Sequence, residues 1–268
     1  MSNTTSTSAM TTTAPARLAT PKTLASTMKV FSSLLRADLT TQWRNRRASM
    51  MVFLLPAILL FAWKPLIDKL GTAFLFGNCI TIGLNAVGIM GYSNSIARDR
   101  DKGIFQRLRV SPAPNWTIMG SRLAVQLIMI AIMTLVVFIV GAQYDHVTLS
   151  AGGYVATFFA SLLCGAVYLA LGQAIVGRIT NPETVNATSR LIYLAFILIG
   201  MFGEMGLLFA ALNKIVIYSP YGTVTTIVSG ALEPSKWNAQ ASRAVLLTLG
   251  YTAVFAYLGI KWFKWSSR

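Results

Sequence analysis

Acidic side chains are scarce. Eight Asp and Glu stand against 23 Lys and Arg, and charged residues of both signs make up 12% of the chain. A water-soluble domain carries about 25%, so there is too little charge to coat a 29.1 kDa globule. There is one histidine, His146, and there are two cysteines, Cys79 and Cys164. That count excludes a His-rich metal site. The cysteines lie in apolar runs without metal-ligand spacing, where free cysteine acts as a small apolar residue. Catalysis by a Ser/His/Asp or Cys/His set would rest wholly on His146, beside Asp145 in a short connection, and the chain reads as a non-enzyme. The Gly-x-x-x-x-Gly-Lys-Ser/Thr phosphate loop is missing, and no Gly-Lys pair occurs at all. No cofactor or metal is expected in the chain itself.

Apolar residues, by contrast, supply 54% of the chain, and the mean hydropathy is +0.60. Runs of about 20 apolar residues recur, the length that crosses a hydrocarbon core of roughly 30 Å. The solvent is lipid, and membrane lipids are the first partner implied. A net charge of +15 on a soluble protein would suggest nucleic acid. Here the bases fall between apolar runs and toward one side, as an orientation signal does, which argues against a nucleic-acid partner.

The expected fold is all-α and integral to a membrane: six spans, an N-terminal amphipathic helix and a re-entrant external segment before the last span. Residues 1–23 are Ser/Thr-rich with no hydrophobic centre and read as a disordered tail. The same bias, with no acid before Asp38, also resembles an organelle transit peptide. Residues 24–47 carry Met28, Phe31, Leu35, Leu39 and Trp43 at helical spacing, opposite Lys29, Arg36 and Arg44, a pattern that suits an interfacial helix or packing on a partner subunit. The transmembrane domain is 48–265, with spans near 49–66, 72–96, 117–142, 152–177, 187–203 and 243–263. Pro56 kinks the first. Between the fifth and sixth, residues 204–241 offer apolar pieces too short to cross, broken by Asn213, Pro220, Gly222, Gly230 and Pro234. Such pieces read as re-entrant or interfacial helices, tolerated at depth only where protein or water covers their backbone. A seventh span over 207–229 would place Lys264 and Arg268 outside. Lys29, Arg44, Arg98, Lys102, Arg178 and Lys261 fall on one side, against Lys64, Lys69, Lys214 and Lys236 on the other. Both termini are therefore expected in the cytoplasm of a cell with this protein in its inner or plasma membrane.

The connection after the second span is dense in charge: Arg98, Asp99, Arg100, Asp101, Lys102, Gly103, then Arg107, Leu108, Arg109 and Pro112. On spacing alone it is either a docking helix or a solvated loop. It resembles the first cytoplasmic loop of the type-2 ABC export permeases, whose pattern is Glu-Arg-x-x-Gly, then a Leu, then a Pro. Asp99 and Arg100 match the acid–base pair, Gly103 the glycine, Leu108 the leucine and Pro112 the proline. Asp99 replaces the usual Glu, and Ile104 stands where a small hydroxyl residue is common. The overall layout over about 25–265 is similar too. The resemblance implies that Asp99, Arg100, Asp101, Gly103, Leu108 and Pro112 form a loop coupling to a separate ABC ATP-binding subunit, which carries the ATP and Mg. It also implies a dimer, since six spans are half of what such transporters assemble.

Two stripes mark candidate pathway faces. Asn78, Thr81, Asn85, Gly88, Tyr92 and Ser95 line one side of the second span; Asn186, Arg190, Tyr193, Ile197, Gly200 and Glu204 line one side of the fifth. Polar groups facing lipid are costly, so both stripes should face protein or a cavity, as path lining or as helix–helix contact. Glu204 also reads as an external gate or a headgroup-layer residue. Ser161, Gly165, Tyr168 and Gly172 on the fourth span read as packing. The function expected is export of an amphipathic or hydrophobic small molecule, a drug, antibiotic or lipid-like compound, by a homodimer. The alternatives are export of a polysaccharide or lipid-linked glycan, and a secondary transporter or channel, although no ion-binding cluster lies in the middle of any span.

Overall fold

The computed structural model describes residues 27–44, 46–109, 114–144, 149–206 and 215–263. Every regular element among them is a helix, as hydrocarbon requires of backbone that must satisfy its own hydrogen bonds. In chain order these are α1 (Thr27–Arg44), α2 (Arg46–Trp63), the short α3 (Ile67–Leu70), α4 (Thr72–Asp101), α5 (Ile104–Arg109), α6 (Asn115–Tyr144), α7 (Ala151–Arg178), α8 (Pro182–Glu204), α9 (Pro220–Leu232) and α10 (Ala239–Trp262). Five of them, α4, α6, α7, α8 and α10, are long and apolar enough to cross a membrane. The stretch expected to cross first, 49–66, falls on the 18 residues of α2 and the turn after it, and is not among the five. The tail 1–23, Pro112, Asp145 and His146 lie outside the described residues.

Helix starts follow local chemistry. Ser150 caps α7 by accepting from the Gly153 amide at 3.0 Å, and Asn181 caps α8 by accepting from Glu183 and Thr184, with Pro182 in the first helical position. Ser219 followed by Pro220 opens α9 the same way, and Asn238 caps α10. On α1, Leu34, Leu35 and Leu39 pack toward the bundle and Lys29, Arg36 and Arg44 are exposed. Met28 and Trp43, the end members of the expected apolar row, are exposed rather than covered by the bundle, leaving them to lipid or a partner as that expectation has it.

The buried centre is α4. Of its most apolar stretch 83% is enclosed by the chain, against 17% for α8 and for α10, which are peripheral. Residues 86–92 of α4 form a π-helical segment, an irregularity that periodicity did not reveal. Lipid gives helices little hydrophobic reason to associate, so close approach through small residues must hold them. The fit is tight at Gly88 and Gly172, where a Cβ on Gly172 would run into the Gly88 carbonyl oxygen. Gly165 leaves room for Ile130, and Gly177 faces Gly259 where α7 meets α10.

The last turns of α4, α7 and α10 meet at one end of the bundle, with the first turns of α6 and α8. At the other end, Phe76 of α4 sits under Gly141 of α6, and the Leu232 carbonyl of α9 sits under Gly153 of α7. The 13 residues of α9 span about 20 Å, too short to cross. Its first turn lies deepest: the Tyr218 carbonyl just before it accepts from the Tyr251 hydroxyl at 2.7 Å, halfway along α10. Tyr221 bonds to Asn78 and packs under Gly200, while Ser229 donates to the Ala73 carbonyl near the start of α4.

Gly172→Val forces α4 and α7 apart at a cost of about 1–3 kcal/mol, typical of overpacking. Thermal unfolding in detergent should fall markedly for Gly172→Val and stay level for Gly250→Ala, where a Cβ meets nothing within 4 Å.

Candidate functional site

The charged connection differs from the expected loop beginning at Ala97. Helix α4 continues through Asp101, so Asp99 and Arg100 sit on the final turn of a membrane helix. Gly103 then turns the chain with φ 67, a left-handed value that glycine adopts without penalty, and its amide bonds back to the Arg100 carbonyl at 3.0 Å. Helix α5 follows. Its Phe105 is fully buried, edge-on to Phe263 at 6.0 Å, and Leu108 packs on the core. Asp101, Lys102, Gln106 and Arg107 are exposed.

Arg100 is turned inward and is 1% exposed. Its Nη1 donates to the Ile179 carbonyl at 3.0 Å and its Nη2 to the Val176 carbonyl at 2.6 Å. These are carbonyls at the end of α7, which no later turn of the helix can satisfy. The guanidinium also lies over the Phe263 ring, 5.0 Å from its centroid. Asp99 pairs with Arg122 Nη2 at 2.9 Å, and Arg122 Nη1 pairs with Asp38 on α1 at 3.0 Å. Ser121 donates to the other Asp38 oxygen at 2.9 Å. Burial lifts the Asp38 carboxyl above its ordinary pKa, against the opposing pull of Arg122 and the Ser121 hydrogen bond. The sequence marked Asp38 as its first acid, yet nothing along the chain could join it to Arg122, 84 positions on.

The stripe on α4 faces protein. Asn78 Oδ1 accepts from the Tyr221 hydroxyl at 2.8 Å, and Thr225 donates to Thr81 at 3.4 Å. Asn85 donates to the Tyr193 carbonyl at 3.4 Å, and Tyr92 donates to Gln173 Oε1 at 2.6 Å. Ser93, one position beyond Tyr92 of the stripe, meets Ser189 of α8 at 2.7 Å. Among the buried polar atoms without a hydrogen-bond partner are Asn85 Oδ1 on α4 and Tyr193 Oη on α8. On α8, Tyr193 and Gly200 turn inward and Arg190 is exposed; Glu204 ends the helix. An open apolar cavity of about 330 Å³ lies between α6, α7 and α10, with Tyr92 and Gln173 among its few polar walls.

The family model described as ABC-2 type transporter matches residues 29–205, from the amphipathic helix through α8. The chain belongs to the ABC-2 type transporter family. It is a multi-pass membrane permease subunit of an ABC transporter, and ABC-2 permeases work with an ATP-binding subunit. No curated protein matches the chain. In this ABC-2 permease the sequence pattern carried by Asp99, Arg100 and Gly103 is thus assembled at one end of the bundle, with Arg100 committed to the fold and the α5 surface presented outward.

Arg100→Met removes both bonds to the α7 end and leaves its carbonyls bare, a loss on the order of 3 kcal/mol. The variant should show a lowered thermal midpoint and yield, whereas Asp101→Asn should leave both unchanged; an unaltered midpoint in Arg100→Met would contradict the fastening role.

Proposed function

We propose that the chain is the permease of an ATP-driven exporter that moves an amphipathic or hydrophobic compound out of the cytoplasm. The observation that carries the coupling half of this reading is α5: a short helix pinned from beneath by Phe105, with Gln106 and Arg107 exposed and Asp101 and Lys102 exposed beside it. A surface fixed below and charged above suits a groove on the ATP-binding subunit. Asp99 and Arg100 serve this docking by holding α5 in place from within the fold.

Six spans and a re-entrant segment fit the geometry. Eighteen residues of α2 extend about 27 Å, close to the roughly 30 Å needed, and Leu60 is buried against the bundle. The rise of α9 from the level of Tyr251 toward the start of α7 favours a segment that dips in from the outer face and returns. Both termini are then cytoplasmic.

For the path, the stripe on α4 supplies amides and hydroxyls without charge, and the apolar cavity beside Gln173 suits the same substrate class. Asn85 Oδ1 and Tyr193 Oη are the atoms that water or substrate would satisfy when α4 and α8 separate. A dimer forms through α8. Of the two helices that carry the stripes, α4 is enclosed, which leaves α8 with its exposed row Leu191, Leu194 and Leu198.

Two measurements test the reading. Gln106→Glu together with Arg107→Glu should cut recovery of the ATP-binding subunit on purification by about tenfold, since reversed charge disrupts complementary docking. Transport in vesicles lacking that subunit would sink the whole assignment. For the dimer, Leu194→Cys should crosslink between copies under mild oxidation, whereas Leu246→Cys on α10, 70% exposed, should remain monomeric; the reverse outcome places the interface elsewhere.

A further inference from the structure

Where α1 crosses the ends of α4 and α6, the bundle encloses a second cavity of about 340 Å³. At roughly 30 Å³ per water in the liquid, it has room for several water volumes. Its lining side chains are mostly polar, broken by Val125 of α6. Arg98, Lys102 and Thr41 stand exposed at the rim, and Ser95 and Gln126 lie further in, with Gln126 only 4% exposed. The two acids that line it, Asp38 and Asp99, are both engaged by Arg122. Asp99 also lies within electrostatic reach of both rim bases, but the three bases Arg98, Lys102 and Arg122 face only two acids, so the lining carries a formal excess of positive charge. Arg122 Nε, moreover, is a buried N–H with no acceptor, and a buried donor left unpaired is costly.

These features call for an anion with several acceptor oxygens that sits at the edge of the membrane. We propose that the cavity binds the phosphodiester headgroup of an anionic phospholipid from the adjoining leaflet. The rim bases Arg98 and Lys102 neutralise the phosphate, Ser95 offers a hydroxyl donor, and a phosphate oxygen supplies the acceptor that Arg122 Nε lacks. The apolar faces of α1 and of α6 at Val125 leave the acyl chains in the bilayer. Basic pockets between helices on the cytoplasmic side are built for such headgroups. The bound lipid would bridge α1 to the end of α4 and so brace the turn from which α5 projects. The inference rests on the membrane placement given above, in which this end of the bundle faces the cytoplasm.

The test uses the full complex with its ATP-binding subunit, reconstituted in nanodiscs of dioleoylphosphatidylcholine containing a minor share of dioleoylphosphatidylglycerol. Lipid retained on the protein is read by native mass spectrometry without nucleotide, so the result is independent of ATP-driven transport and separates failure here from failure of the exporter reading. The native complex should retain phosphatidylglycerol about tenfold above its share in the bilayer, as two interfacial bases predict. Arg98→Ala with Lys102→Ala should abolish that enrichment, and Arg178→Ala, an exposed base outside the cavity, should preserve it. Equal retention of the two lipids by the native complex overturns the proposal, and that comparison stands even if the double variant folds poorly. Enrichment surviving the double substitution overturns it too. So does displacement of the lipid by millimolar inorganic phosphate, which would identify a site for a soluble anion.

Discussion

The arrangement at the end of the bundle depends on one side chain meeting the unsatisfied carbonyls of a helix. A long helix that stops at a membrane edge leaves its last carbonyls without partners, and those of α7 are covered by protein rather than water. Arg100 reaches across from α4 to take two of them, while its flat face rests on Phe263 beyond α10. One guanidinium thereby ties three chain ends together. Gly103 and α5 hang from that knot, so a force applied at α5 passes first into α4, α7 and α10. The peripheral α8 meets this knot through α4, where Ser93 bonds Ser189, and through α7, where Tyr168 meets Phe196.

Lipid as solvent accounts for how the rest is held. Apolar side chains can face outward at no cost, and Leu191, Leu246 and Ile260 do so. Cohesion falls instead to small residues that let backbones touch and to polar groups that find each other across helices. Gly88 against Gly172 and Gly177 against Gly259 are of the first kind. Asn78 with Tyr221, Tyr92 with Gln173 and Ser93 with Ser189 are of the second. Helix α9 survives at membrane depth for the same reason: α4, α7 and α10 surround it and bury Tyr221, Thr225 and Val228.

Membrane residence, all-helical architecture and the family of the chain were legible in residue order, because they follow from hydropathy and from a local pattern at Asp99, Arg100 and Gly103. What periodicity could not supply was partner identity. The stripe on α4 was visible as a row of polar positions, but that Tyr221 and Thr225 would fill its flank depends on α9, more than 140 residues away. The Asp38–Arg122–Asp99 bridge joins three helices. Each member looked like an isolated charge: one on an interfacial face, one inside a span and one in a supposed loop. The end of α4 was placed too early because charge density there resembled a solvated connection, and the inward turn of Arg100 has no signature in spacing.

The same polar contacts bear on how a conduit of this kind can work. A path lined by α4 is closed in this arrangement, since its amides and hydroxyls are taken by α9, α7 and α8. Opening must exchange those hydrogen bonds for others, to water or to substrate, and such an exchange is close to neutral where each broken bond is replaced. The stripe is suited to that exchange because its bonds are uncharged and mostly single. Asn85 Oδ1 and Tyr193 Oη already lack partners, so their satisfaction in an opened state would offset part of the cost of parting α4 from α8. The π-helical segment begins one residue after Asn85, at Ala86. A helix with one turn wound out of register can shift between two hydrogen-bond patterns more easily than a regular one. The irregular turn, the orphaned acceptor and the knot at Arg100 thus lie on one helix, which gives α4 the means to carry a displacement at α5 into the interior of the bundle.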